Sequence, residues 1–293
     1  MFEFKLENSL NEVVNLNDNN NYIVVGATGL TPPRATIYTS SSANKKGSKY
    51  NGSTIEERSL NLTIKLLGDI EANRNNLYKW IDSEQYVKVY YRNGVKNVYC
   101  EGYVEIPNLE LFTENEIVEL EILCPNPYWK DLQDVVVDIS VLLKQFTFPF
   151  SIVNPIPFST IKDDGVTKVF NSGNETGMII RAVFKRAITN FIFEDAIDST
   201  KKIGFKSTFT FNKDDTLIIN TEDSPKTIKR ISSDGAVENI LKYVDGKPYW
   251  FQLKKGYNSF TYTSSNNSGV EVTISFTNKY LGVWFYGFVH FKY

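Results

Sequence analysis

Hydrophobic and polar positions alternate over many short stretches of this chain, the pattern of strands that bury one face. Between Leu60 and Leu67, the side chains of Leu60, Leu62, Ile64 and Leu66 fall on one side, and Asn61, Thr63 and Lys65 on the other. The period then changes. Asp69 supplies an N-cap, and Ile70, Leu77, Trp80 and Ile81 recur at helical spacing, which predicts a helix over about 69–83. Alternation resumes in Tyr86–Arg92 and Val95–Tyr103, on either side of Asn93-Gly94. That dipeptide favours two positive-φ residues, so a hairpin closed by a type I′ turn is predicted. Glu116–Cys124 reads as another strand, stopped by Pro125 and Pro127, which cannot donate to a ladder. The stretch at 69–83 is the one convincing helical period, and the chain is predicted to be mainly β.

From Lys168 onward, short β-like segments are separated by turn signals such as Asn171–Asn174, Asn212–Asp215, Ser233–Gly235, Asp245–Pro248 and Asn266–Gly269. Such spacing without a helical period predicts a β-sandwich. Residues 146–160 contain Pro149, Pro155 and Pro157 in a run too apolar for a loose linker and too proline-rich for a central strand. They are expected to form a packed connector between an N-terminal domain, 1–145, and a C-terminal domain, 161–293. One further segment, 39–54, is polar and rich in Ser and Gly. Sixteen such residues inside a compact domain are expected to be either an arm that orders on a partner or a surface loop.

Composition narrows the function. The 293 residues are 42% hydrophobic and 14% aromatic, with 17 Tyr and 20 Phe, enough apolar surface for full cores. The 32 basic and 34 acidic side chains nearly cancel, so no global field would draw in a polyanion. Residues 1–145 carry 14 basic and 20 acidic groups and residues 146–293 carry 18 and 14, a mild asymmetry. Cys100 and Cys124 are the two cysteines, which excludes a disulfide scaffold and a multi-thiolate metal site; they read as half-buried strand thiols. His290 is the single histidine, so multi-histidine metal sites and most His-dependent nucleophilic catalysis are excluded. Charges follow directly on Met1-Phe2, and Leu281–Phe291 is about half a membrane span. Synthesis without a signal peptide is expected, and no membrane insertion.

No phosphate loop, nucleophile elbow or zinc-protease motif is present in the sequence. Glu56-Glu57, Asp163-Asp164 and Asp214-Asp215 are the conspicuous carboxylate pairs. Neighbours on a strand point to opposite faces, and the two Asp pairs resemble turns, so glycoside hydrolysis is not expected. No enzyme activity, cofactor or metal is anticipated. A carbohydrate-binding β-sandwich is the alternative, with Tyr249, Trp250 and Trp284 as outward-facing aromatics or partner contacts; packing inside the sandwich is the competing reading.

The order of several motifs resembles the distal tail (Dit) protein family, the phage tail component family of tailed phages that infect Gram-positive bacteria. Those motifs are Gly29–Pro33, Gly52–Gly68, the helix with Leu77-Tyr78, Val98–Glu105 and Leu123–Trp129, with a weaker likeness through Asn171–Asn174, Asp214–Thr221 and Tyr249–Asn258. The resemblance implies an N-terminal split-barrel-like β-sandwich with one helix and a protruding hairpin arm, and a C-terminal galectin-like or jelly-roll sandwich. It implies a hexameric ring in the virion, at the tail tip or baseplate, joining the tail tube protein to a tail-associated lysin-type hub, receptor-binding protein or baseplate components. A central channel would pass DNA without sequence-specific recognition. The arm carried over in this way holds Lys45, Lys46, Lys49, Tyr50 and Asn51 as oligomer-interface residues.

Overall fold

The structure is a computed structural model that describes residues 2–44, 46–109, 116–139, 166–223 and 225–283. The connector at 146–160, with Asp163, Asp164, Lys45, Trp284 and His290, lies outside the described residues. The chain divides into two units, one holding residues up to 132 together with the segment from Lys279, the other holding 133–278.

In the first unit the strands are β1 (Glu3–Asn8), β2 (Val13–Asn15), β3 (Tyr22–Thr28), β4 (Ala35–Ser40), β5 (Lys49–Ile55) and β6 (Arg58–Leu66). The helix α1 (Ile70–Ile81) follows, then β7 (Tyr86–Arg92), β8 (Asn97–Leu109), β9 (Ile117–Cys124) and β10 (Trp129–Asp131). In the second unit lie β11 (Val135–Asp138), β12 (Thr167–Asn171), β13 (Ile179–Phe184), β14 (Ile192–Asp195) and β15 (Lys202–Gly204). They are followed there by β16 (Thr216–Asn220), β17 (Thr227–Ile231), β18 (Val237–Asn239), β19 (Gly256–Thr263) and β20 (Val270–Phe276). The last strand, β21 (Lys279–Tyr280), belongs to the first unit.

The first unit is an open sheet in the order β2-β1-β7-β8-β9-β6-β3, with β10 added beside β8 and β21 beside β10. Leu60, Leu62, Ile64 and Leu66 of β6 are all buried, as the alternation predicts, and share their core with Leu77, Trp80 and Ile81 of α1. Asp69 caps the helix by accepting from the amide of Ala72. Trp80 donates its indole N–H to the carbonyl of Glu12, so the apolar face of α1 is also fixed in position by a directional bond.

The second unit is a sandwich of a six-stranded sheet, β11-β20-β13-β16-β17-β18, and a four-stranded one, β12-β19-β14-β15. Both sheets feed one core, in which Phe184, Phe191, Phe205 and Phe211 meet edge-on or stacked, with Phe193 and Phe260 close by. Its limits differ from the expected 161–293. Val135–Asp138 pairs with β20 inside this unit, whereas Trp129 and Lys130 pair with Tyr280 and Lys279 in the other, so antiparallel pairing sets the divide.

The Asn93-Gly94 turn is not type I′. Neither residue has positive φ, and the ladder from β7 to β8 closes at Arg92 and Asn97, leaving a four-residue loop. The buried Asn93 side chain accepts from the amides of Val95 and Lys96 and donates to the Val283 carbonyl, so side-chain bonding sets the turn geometry.

Candidate assembly surfaces

The predicted arm is a two-stranded hairpin, β4 paired with β5 from Ala35 opposite Ile55 to Ser40 opposite Lys49. A bulge between Tyr38 and Thr39 adds a residue on β5, where Gly52 adopts φ +135°, a conformation L side chains rarely take. Register places Ala35, Ile37, Thr39, Tyr50, Ser53 and Ile55 on one face. Ile37 is 55% exposed and Tyr50 60%, and Lys46, Lys49 and Asn51 are also exposed. The hairpin pairs with no third strand among the described residues. Its own bonds are short-range: the Tyr50 hydroxyl meets Ser53 Oγ at 2.9 Å and Ser40 donates to Asn51 at 3.4 Å. An amphipathic hairpin with an open apolar face and two unpaired edges has the makings of an interface.

Arg58, on β6 just after the hairpin, is 1% exposed. No carboxylate among the described residues pairs with it. Its guanidinium donates to the carbonyls of Gly29, Thr31, Pro127 and Leu281, and lies 5.5 Å from the centre of the Trp129 ring. Burial lowers its pKa from the ordinary 12.5, and the four carbonyl dipoles hold the charge in place. The sequence motifs Gly29–Pro33, Gly52–Gly68 and Leu123–Trp129 therefore converge on this one side chain. Gly29 itself allows the approach: at φ +85°, a Cβ would stand 2.3 Å from the Ser59 carbonyl oxygen. Nothing in the sequence pattern marks Arg58 as buried, because a lone arginine amid Glu56, Glu57 and Ser59 reads as a surface charge.

Beside it, Cys100 and Cys124 are fully buried with sulfurs 3.8 Å apart, deeper than the half-buried thiols expected; burial pushes the Cys100 thiol up in pKa.

The outward face of β1, β7 and β8 carries a ladder of tyrosines and charges. Tyr90 donates to Glu7, Tyr86 to Glu101, and Lys130 bonds Glu101 at 2.6 Å; Lys88 lies 4.6 Å from the centre of the Tyr99 ring. Burial and the Glu101 carboxylate push the Tyr86 hydroxyl up to about 12, while burial and the hydrogen bond to Glu7 raise Tyr90 as well. Burial alone would raise Glu101, but the Lys130 ammonium outweighs it and holds the carboxyl below its ordinary 4.5.

At the far end of the sheet β3 has β6 as its only strand neighbour among the described residues, and next to it runs a groove of about 300 Å³ lined by Phe2, Phe4, Val24, Val25, Leu30 and Tyr91. In the second unit, Tyr249 is exposed, while Trp250 is half-buried against the sandwich core and closer to the packing reading. Asp215 is buried and accepts from the amide of Asn212, so this Asp pair forms the anticipated turn. No cluster of His, Cys, Asp and Glu able to hold a metal ion occurs among the described residues, and no described helix is long and apolar enough to cross a membrane.

Two family models match the chain. The phage tail protein RIFT-related domain matches residues 11–123, and the C-terminal domain of the siphovirus-type tail component matches 171–280. No curated protein sequence is significantly similar. Among solved structures, SPP1 Dit, described as a paradigm of the hub adsorption apparatus in phages infecting Gram-positive bacteria, superposes with a TM-score of 0.67. That match covers 94% of this chain and 99% of the other at 16% identity, and it establishes the shared fold. A chain of the phage P2 baseplate in its activated conformation with Ca superposes at 0.48, covering 97% of this chain and all of its own at 12% identity. The two domain matches, in this order along one chain and on this two-unit β fold, place the protein in the phage distal tail (Dit) family, structural components of the virion's tail and baseplate.

Proposed function

We propose that copies of this protein close into a six-fold ring at the tail tip, joining the tail tube protein to a tail-associated lysin-type hub and to receptor-binding or baseplate components, with a central channel for DNA. The observation that carries the reading is the β4–β5 hairpin, whose Ile37, Tyr50 and Ile55 stand exposed on one face. A heterologous ring needs two unlike patches on each copy. The hairpin supplies one, with Lys46, Lys49, Tyr50 and Asn51 as contacts. The groove beside β3, with its apolar lining and free strand edge, has the character of the other. The acidic excess of residues 1–145 suits a channel wall that must let a polyanion slide past.

Light scattering over a range of concentrations tests this. A particle of about six chains that falls to single chains when 36–54 is replaced by a short Gly-Ser turn is the expected result. A single chain at every concentration, or a ring indifferent to loss of the hairpin, overturns it.

A further inference from the structure

The outward face of the four-stranded sheet in the second unit holds a feature that the ring does not require. Phe170 on β12 and Tyr257 on β19 are directly opposite in register, with ring centres 4.9 Å apart. They are 51% and 73% exposed, on the side of the sheet away from the core to which Val169 and Phe260 contribute. The next pair along the same face is Lys168 opposite Ser259. On the approach to β19 sit Lys254 and Lys255, both exposed, in a turn clamped by Asn258, which accepts from the amide of Lys254 and donates to the carbonyls of Lys254 and Gly256.

β12, β19 and this turn contain no Asp or Glu, and Lys168, Lys254 and Lys255 have no ion-pair partner among the described residues. Glu194, the carboxylate on the same sheet face, stands opposite Lys202 on β15. Two exposed rings therefore share a sheet face with the unpaired Lys168, and the turn leading into Tyr257 adds Lys254 and Lys255, on strands and a turn whose hydrogen bonding already fixes them. Such a site offers a ring surface to an apolar sugar face and point charges to an anion. Lysines alone, without an arginine fork, favour phosphate over the planar carboxylate of a uronic acid. A single ring pair, with no further exposed aromatic along β12 or β19, matches one sugar unit better than the serial stacking of a single-stranded nucleic acid.

We propose that Phe170, Tyr257, Lys168, Lys254 and Lys255 form a binding site for a phosphodiester-linked glycan, which would give the second unit a direct contact with a cell-surface polymer beyond its role in the tail. The site stands on the sandwich alone and is independent of ring formation.

The test is titration calorimetry of the full chain with three probes: a glycosylated poly(glycerol phosphate) oligomer, the same sugar as a neutral oligosaccharide, and a dT oligonucleotide of equal charge. The glycosylated phosphate oligomer should bind most tightly, with affinity falling as salt rises. Tyr257→Ala should weaken it about tenfold, and Lys168→Ala with Lys254→Ala and Lys255→Ala should remove the salt dependence. All of these substitutions are at exposed positions, and an unchanged melting temperature checks the fold. Absence of binding up to about 1 mM overturns the proposal, as does binding indifferent to Tyr257→Ala, or a dT oligonucleotide bound as tightly as the glycan.

Discussion

The hairpins β7–β8 and β4–β5 both alternate, and both carry tyrosines and lysines, yet their surroundings differ at every position. β7 lies between β1 and β8, and β8 between β7 and β9. On one face Val87, Val89, Val98 and Cys100 are buried; on the other Tyr86, Tyr90 and Glu101 are tied into a bonded ladder. Among the described residues β4 and β5 pair only with each other, and Ile37, Tyr38, Tyr50 and Ile55 are all exposed. Alternation says that a strand has two unlike faces; it does not say whether the chain itself or another molecule covers the apolar one. In the first hairpin the apolar face is covered by the chain's own fold, and in the second it stays exposed, as the proposed ring requires.

Substitutions sharpen this contrast, the first of them at two buried positions of β6, Arg58 and Leu62. Arg58→Met should cost about 4 kcal/mol in urea unfolding, because the carbonyls of Gly29, Thr31, Pro127 and Leu281 lose a charged donor held in a buried site. Arg58→Lys should recover only part of that, since one ammonium cannot span the same acceptors. Leu62→Ala, a fully enclosed site, should cost about 3 kcal/mol by the same measurement. Tyr90→Phe, which strips the Glu7 bond from the covered hairpin, should cost about 1 kcal/mol.

Glu101 contributes through pH. Its folded pKa is depressed, so its contribution is fully present above pH 4.5 and is lost as the pH falls through the folded value. Lys130→Met should flatten the fall in stability below pH 4.5 by under about 1 kcal/mol, a size set by solvent screening of a partly exposed pair. Ile37→Ser with Tyr50→Ser should change monomer stability by no more than about 0.5 kcal/mol while abolishing the ring seen by light scattering. A large loss of monomer stability from that last pair would erase the distinction between the two hairpins.

Much of the fold was legible in the chain. The helix was, because Asp69, Leu77, Trp80 and Ile81 obey a local rule that the structure satisfies locally. So was β6, and so was the mainly β, sandwich-forming second half. The Asn93 turn was misread because its geometry depends on the carbonyl of Val283, distant in sequence, and on side-chain bonds that compete with the local preference of Asn-Gly. Arg58 was invisible for the same reason: its acceptors come from residues 29, 31, 127 and 281. At the candidate sites, polarity and length marked 39–54 as either an arm or a surface loop, and the hairpin form of β4 and β5 was implied only by the family resemblance. Tyr249 and Trp250 drew notice as aromatic neighbours, whereas Phe170 and Tyr257 did not, because only cross-strand register sets them side by side.

The segment 279–283 has a consequence for the order in which the protein can be made. Val283 is part of the first core, β21 pairs with β10, and Leu281 supplies one of the acceptors of Arg58. A ribosome emitting this chain therefore releases residues 133–278, with their whole sandwich core, before it releases the strand that completes the unit begun at the N-terminus. The earlier-made unit must wait, with an unpaired edge at β10 and Arg58 one acceptor short, while the later-made one finishes. Closing contacts between residues 58 and 281 spans most of the chain, a loop whose ends meet late and slowly. Synthesis runs from the first unit to the second, and completion runs the other way.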